Sequence, residues 1–162
     1  MNIKELFGKM KEDLIYEKLD MQNLINEIGS QLLVKTLLEN IGNTHSLIRE
    51  NVLGINYRLI TEELLQHSDY IDMLNTCLGT DHLLKGIGSK NCDSVFSRSF
   101  ASLRIGHIIE LDSKRGFLTH AQYMAILNKA IEYAEQEADW RGWVAEKGWA
   151  MRFIMGLCCS ET

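Results

Sequence analysis

Between Glu135 and Ala150 the chain sets three carboxylates at alternate positions, Glu135, Glu137 and Asp139, just ahead of Arg141. All three of its tryptophans, Trp140, Trp143 and Trp149, fall in the same stretch. On a continuous helix, residues two apart point to different sides, so these acids form a cluster only if the helix ends near Ala138. Asp139 would then cap the next turn, and Glu137 would pair with Arg141 or with Arg98. Two kinds of chemistry follow. A carboxylate–arginine site flanked by aromatics suits a small polar ligand. The same residues buried as ion pairs would lock two helices together, the reading favoured here because desolvated pairs are costly and often specify packing.

Other reactive side chains are scattered. None of His45, His67, His82, His107 and His120 stands four residues from another, and no zinc-binding helix pattern is present, so no metal site is expected. His107, mid-helix beside Gly106, reads as a core histidine. Cys77, Cys92, Cys158 and Cys159 match no zinc or redox spacing and are expected as reduced, buried thiols. Gly86-Ile87-Gly88-Ser89-Lys90 resembles a phosphate loop only superficially; without a preceding strand it reads as a glycine C-cap and turn. No serine or cysteine has a neighbouring base that would mark a nucleophile. The residues call for no cofactor.

Composition bounds the class. The 162 residues suffice for a single domain with a sizeable core, and 46% hydrophobic with 24% charged residues is ordinary for a globular chain. A net charge of −5 offers no footprint for nucleic acid. No apolar run approaches a membrane span, and lysines interrupt the N-terminus, so neither membrane insertion nor a signal peptide is expected and the cytoplasm is the default location. There is no proline at all, which removes helix breakers throughout.

Periodicity predicts an all-α chain. Residues 2 to about 28 read as one or two helices, polar enough for a partly detached lead-in over 1–29, ahead of a helical-repeat domain over 30–162. Within the latter, Ser30 caps a helix carrying Leu33, Leu37 and Ile41 and stopped by Gly42. Asn43 or Thr44 opens one with Ile48, Val52, Ile55 and Leu59. A helix from about 62 to 77 follows, then a short one from Thr80-Asp81 with Leu83, Leu84 and Ile87. Asp93 caps a long helix to about Asp112, with Val95, Phe96, Phe100, Leu103 and Leu111 buried. Thr119 to Gln122 form a capping box, and Met124, Leu127, Ile131, Ala134 and Ala138 form the inner face of the last helix. Gly54 and Gly106, inside helices, call for close helix–helix approach. No strand is expected.

Three arginines open segments in a similar way, in His45-Ser46-Leu47-Ile48-Arg49, Asp93-Ser94-Val95-Phe96-Ser97-Arg98 and Asp139-Trp140-Arg141, with Ile-Gly before the first two. Periods of about 40–47 residues suit HEAT- and armadillo-type helix pairs. The expected architecture is therefore antiparallel helix pairs stacked as an α-α superhelix, each arginine reaching an acid on the next repeat.

Val95-Phe96-Ser97-Arg98-Ser99-Phe100-Ala101-Ser102-Leu103, Asp112, Glu137-Ala138-Asp139-Trp140-Arg141-Gly142-Trp143-Val144 and Lys147-Gly148-Trp149-Ala150 together resemble a bacterial family known only as domain of unknown function 2785. Arg49-Glu50-Asn51-Val52 and Tyr57 are similar to its earlier arginine-led helix. The resemblance covers roughly 30–150 and implies an all-helical fold and no particular reaction. After Ala150 the family pattern continues with two histidines, the second followed by Gly-Ala, and further helix. Here the chain reads Met151-Arg152-Phe153-Ile154-Met155-Gly156-Leu157 instead. Codons for these residues, read one base earlier, can encode His-Ala-x-x-His-Gly-Ala, so a truncating frameshift is expected, against a genuine variant tail. The fold would then be incomplete at its C-terminus, leaving Trp143, Trp149, Phe153 and Ile154 on an apolar patch that invites a homodimer. The first functional expectation is a non-catalytic helical-repeat module for a protein or small-molecule partner. The alternative is a fragment of a hydrolase-like or metal-dependent enzyme whose site joined Glu137, Asp139 and Arg141 to histidines lost downstream.

Overall fold

The computed structural model describes residues 1–150. Among them the chain is all-α: α1 (Ile3–Glu12), α2 (Met21–Ile28), α3 (Ser30–Glu39), α4 (Ser46–Thr61), α5 (His67–Cys77), α6 (Ser94–Arg115) and α7 (His120–Gln136). An antiparallel pair of two-residue strands follows, β1 (Trp143–Val144) and β2 (Gly148–Trp149).

Local chemistry sets most of the helix starts. Asn2 with Glu5, Gln66 with Asp69 and Thr119 with Gln122 form capping boxes for α1, α5 and α7, and the Asp20 carboxylate accepts from the Asn23 amide at α2. Gly116, at φ +66, closes α6 in the left-handed region that glycine enters without strain. Several boundaries differ from expectation. Gly29, not Ser30, precedes α3, which ends at Glu39 rather than at Gly42. Gly42 instead lets the loop touch α6: a Cβ there would stand 2.7 Å from Ser97 Cα. α4 begins at Ser46. α5 begins at His67 rather than near 62, because its capping box sits at Gln66 and the chain passes through a left-handed Glu63, φ +54. The helix expected from Thr80 does not form. Residues 79–88 run as consecutive turns, with left-handed Gly86 and Gly88, that still fold Leu83 and Leu84 inward.

α4 is the hub, packing on α1, α2, α3 and α6, while α5 packs on α3 and α6. Arg49 lies over Phe96 and Phe100, and Tyr57 meets His107, so α4 and α6 run side by side in the same direction. One apolar core takes in Leu6 and Met10 of α1, Met21 and Leu24 of α2, Val52, Ile55 and Leu59 of α4, Met73 and Leu74 of α5, and Phe100, Ile105 and Ile108 of α6. The segment expected as a lead-in therefore contributes buried side chains to that core. Asn51 of α4 ties it down further: its Oδ1 accepts from the Ile15 and Tyr16 amides, and its Nδ2 donates to the carbonyls of Met10 and Asp13.

The inner face of α7 is a correction. Ile126 and Tyr133 are buried, whereas Met124, Leu127 and Ile131 are 42%, 51% and 47% exposed. Ala134 is exposed too, Ala138 is half-buried, and Leu103 of α6 is only half-buried. At about 100° per residue, the stripe of Ile126 and Tyr133 is turned roughly 130° from the expected one. Both sides of α7 are apolar, and periodicity alone does not choose between them. The hairpin was also unexpected. Its strands are too short to show alternation, and its turn puts a non-glycine, Glu146, at φ +63 before Gly148 at φ +79.

Candidate functional site

α7 ends at Gln136, and its C-cap Glu137 has extended backbone. That break brings Glu137 and Asp139 inward together and leaves Glu135 exposed. Glu137 meets Arg98, in the second turn of α6, through two hydrogen bonds: Nε donates to Oε2 at 2.6 Å and Nη2 to Oε1 at 2.8 Å. Both side chains are buried. Arg98 Nη1 donates to the carbonyls of Lys85 and Gly86 and to Ser94 Oγ, and the Asp139 amide adds a donor to Glu137 Oε1.

Asp139 takes Arg141, two residues on. Nε donates to Oδ1 at 2.8 Å and Nη2 to Oδ2 at 2.7 Å, and Nη2 also reaches the Cys92 carbonyl. Burial alone would raise the Asp139 carboxyl, but the guanidinium and backbone amide of Arg141 outweigh it and hold it below the usual carboxylate range. The bond to Asp139 in turn raises Arg141.

The structure thus brings Arg98, Glu137, Asp139 and Arg141 to one place, sorted into two ion pairs with Glu137 on Arg98. They join the start of α6, the 79–92 turns and the end of α7. Charge-assisted, two-point bonds of this kind fix geometry strongly. A bound polar ligand would have to displace them. The Gly86–Lys90 turn presents the Gly86 carbonyl oxygen to Arg98, whereas a phosphate needs N–H groups.

Arg49 carries a contact that its sequence pattern alone did not reveal. The expectation was an acid on the next repeat; instead Nη2 donates to the carbonyls of Lys147 (2.5 Å) and Trp149 (3.2 Å), and Nη1 to Asn43 O. Its guanidinium carbon lies 4.1 Å from the Phe96 ring centroid and 5.1 Å from that of Phe100. A buried cation held by carbonyls and aromatic faces clamps the hairpin to α4 and α6. Gly148 suits this position because its φ of +79 is left-handed and a Cβ there would crowd Ser46 Cβ at 3.2 Å. Asp93, expected to cap α6 through its side chain, makes no such bond and instead holds Lys147 at 2.7 Å.

The hairpin displays its indoles. Trp143 and Trp149, partners in the strand register, meet edge to face with centroids 5.4 Å apart, and are 62% and 55% exposed. Trp140 is 46% exposed. Phe153 and Ile154, expected on the same patch, lie outside the described residues, as do Cys158, Cys159 and the whole altered tail after Ala150.

Among the described residues no group of three or more His, Cys, Asp or Glu side chains is placed to hold a metal ion. His107 packs its ring against Tyr57, and burial pushes it down to about 4. His67 stacks on Phe117. Cys77 is buried and its thiol is pushed up to about 12, whereas Cys92, expected buried, is exposed because it sits in the loop before α6. Asp112 is buried at the α6–α7 corner, where it accepts from the Phe117 and Leu118 amides, both at 2.7 Å, and from the Tyr123 hydroxyl. Arg104 is fully buried and, among the described residues, no guanidinium nitrogen has a hydrogen-bond partner, which no sequence signal announced.

No helix of the described residues is long and apolar enough to cross a membrane. No curated protein and no solved structure matches the chain. The model of a family described as "Protein of unknown function (DUF2785)" matches residues 83–154. That stretch holds α6, α7, both ion pairs and the hairpin, but not α4, so the similarity expected around Arg49 and Tyr57 lies beyond it. It is in the stretch built on Arg98, Glu137 and the tryptophan hairpin that the protein resembles this family of unknown function.

Proposed function

We propose that the chain is a non-catalytic, helical-repeat binding module whose contact surface is the outer face of α7, and that a second copy of the chain docks there. The carrying observation is that face. Tyr123, Met124, Leu127 and Ile131 are all at least 38% exposed, while only Ile126 and Tyr133 of α7 are buried. Side-by-side α4 and α6, with α3 packed on α5, support a stacked arrangement of helix pairs. In such stacks a helix pair cannot cover its apolar face alone, and a terminal apolar face is where the next unit docks. A stable interface buries roughly 1,200–2,000 Å² in total, so two copies would need these four side chains together with their polar surroundings on the same face. The internal pairing of Glu137 and Asp139 favours this reading over a polar enzyme site.

The test is sedimentation of the wild type against Leu127→Glu with Ile131→Glu. Both positions are exposed, so the helical circular dichroism should be retained. A wild-type dimer that becomes a monomer in the double variant supports the reading. A monomeric wild type, or a dimer indifferent to the two charges, overturns it.

A further inference from the structure

Away from α7, an open cleft of about 350 Å³ is lined by α3, α5 and His82 of the following turns. Its floor is apolar: Val34 and Leu38 come from α3 and Met73 from α5. Its rim is not balanced in charge. One lysine, Lys35, stands there 4.0 Å from Glu39 of its own helix. Across from them Asp69 and Asp72 line the same cavity. Asp69 accepts from the Gln66 amide as part of the α5 cap, and the Asp72 carboxylate meets no cation among the described residues. His82 closes one end; burial lowers its basicity, so it is neutral near pH 7 and does not repel a positive charge.

We propose that this cavity binds a small organic cation, with the ammonium at Asp72 and Asp69 and an apolar body on Val34, Leu38 and Met73. Cavities that take small molecules run from about 300 to 1,000 Å³, with apolar linings and a few placed polar groups. This one is at the low end, which suits a single ring or branched alkyl group carrying a short amine. The apolar floor supplies affinity without specificity, and the two carboxylates, neither paired with a cation among the described residues, select the sign of the charge. The site is separate from the α7 face, so its failure leaves the dimer reading untouched.

The experiment is amide chemical-shift mapping on the full chain, titrated with 2-phenylethylammonium, with neutral 2-phenylethanol and with anionic 3-phenylpropionate. The expected result is saturable shifts at Val34, Leu38 and Met73 with the ammonium, and weaker binding of the other two. Asp72→Asn, on an exposed position that leaves the fold alone, should weaken the ammonium about three- to tenfold, the range of a partly exposed ion pair, and leave the alcohol unchanged. No saturable shifts at those residues, equal binding of ammonium and alcohol, or an Asp72→Asn variant that binds the ammonium as well as wild type would each overturn the proposal.

Discussion

Arg49, Arg98 and Arg104 are the bulkiest fully buried side chains of the described structure, and they meet their surroundings in three ways. Arg98 has a buried carboxylate, Arg49 has backbone carbonyls and two aromatic faces, and Arg104 has no hydrogen-bond partner among the described residues. Burial pushes Arg104 down to about 10, still well above neutrality, so its charge sits in the core without a hydrogen-bond partner. Losing one partner of a buried pair costs about 3–5 kcal/mol, because the survivor stays uncompensated. Removing a buried polar group that has no partner does the reverse. Arg98→Met is therefore expected to lower the urea-unfolding stability by about 3–5 kcal/mol, whereas Arg104→Met raises it by about 1–3 kcal/mol. Comparable losses in the two variants would mean that Arg104 has a partner.

At the scale of elements, the two helical glycines separate cleanly. Both were expected to mark close helix approach. At Gly54 of α4 a Cβ would overlap the Tyr16 ring, so this glycine does make room, for the segment between α1 and α2 rather than for a helix. At Gly106 of α6 nothing lies within 4 Å. Gly54→Ala is expected to destabilise by about 1–3 kcal/mol through overpacking. Gly106→Ala should stabilise by about 0.5–1 kcal/mol, the ordinary gain of alanine over glycine in a helix. Thermal melts of the two variants decide it; a loss at Gly106 would show that an unseen neighbour approaches α6. The α6–α7 corner shows how one side chain directs two elements. Asp112 collects two amides and a hydroxyl there, setting the angle at which α7 leaves.

Across the whole molecule the apolar core runs from Leu6 to Tyr133 without a gap, and a smaller cluster of Val95, Phe96 and Ala150 anchors the hairpin beside it. Every tryptophan lies between 140 and 149, so fluorescence reports the hairpin region while circular dichroism reports the helices. The two probes are expected to give coincident denaturation curves, the mark of one cooperative unit. In the same assay Leu6→Ala should cost about 2–5 kcal/mol, as for a core leucine. An indifferent Leu6→Ala, or a separate early transition, would mean that residues 1–29 fold apart from the rest.

How much of this could be read from the chain depends on how local each cause is. The helical class, the Thr119–Gln122 cap and the pairing capacity of Glu137 and Asp139 were legible, because each follows from residue type at short separation. The buried side of α7 was not, since Met124, Leu127 and Ile131 fit helical spacing as well as Ile126 and Tyr133 do. Nor was the pairing of Glu137 with Arg98 rather than Arg141. By itself the sequence determined that this protein is helical and which side chains hold charge, because propensity, capping and periodicity act within a few residues. Only the tertiary structure decided which arginine meets which acid, which stands bare and which apolar stripe faces out. Those outcomes depend on the desolvation of groups tens of residues apart, which no local pattern encodes.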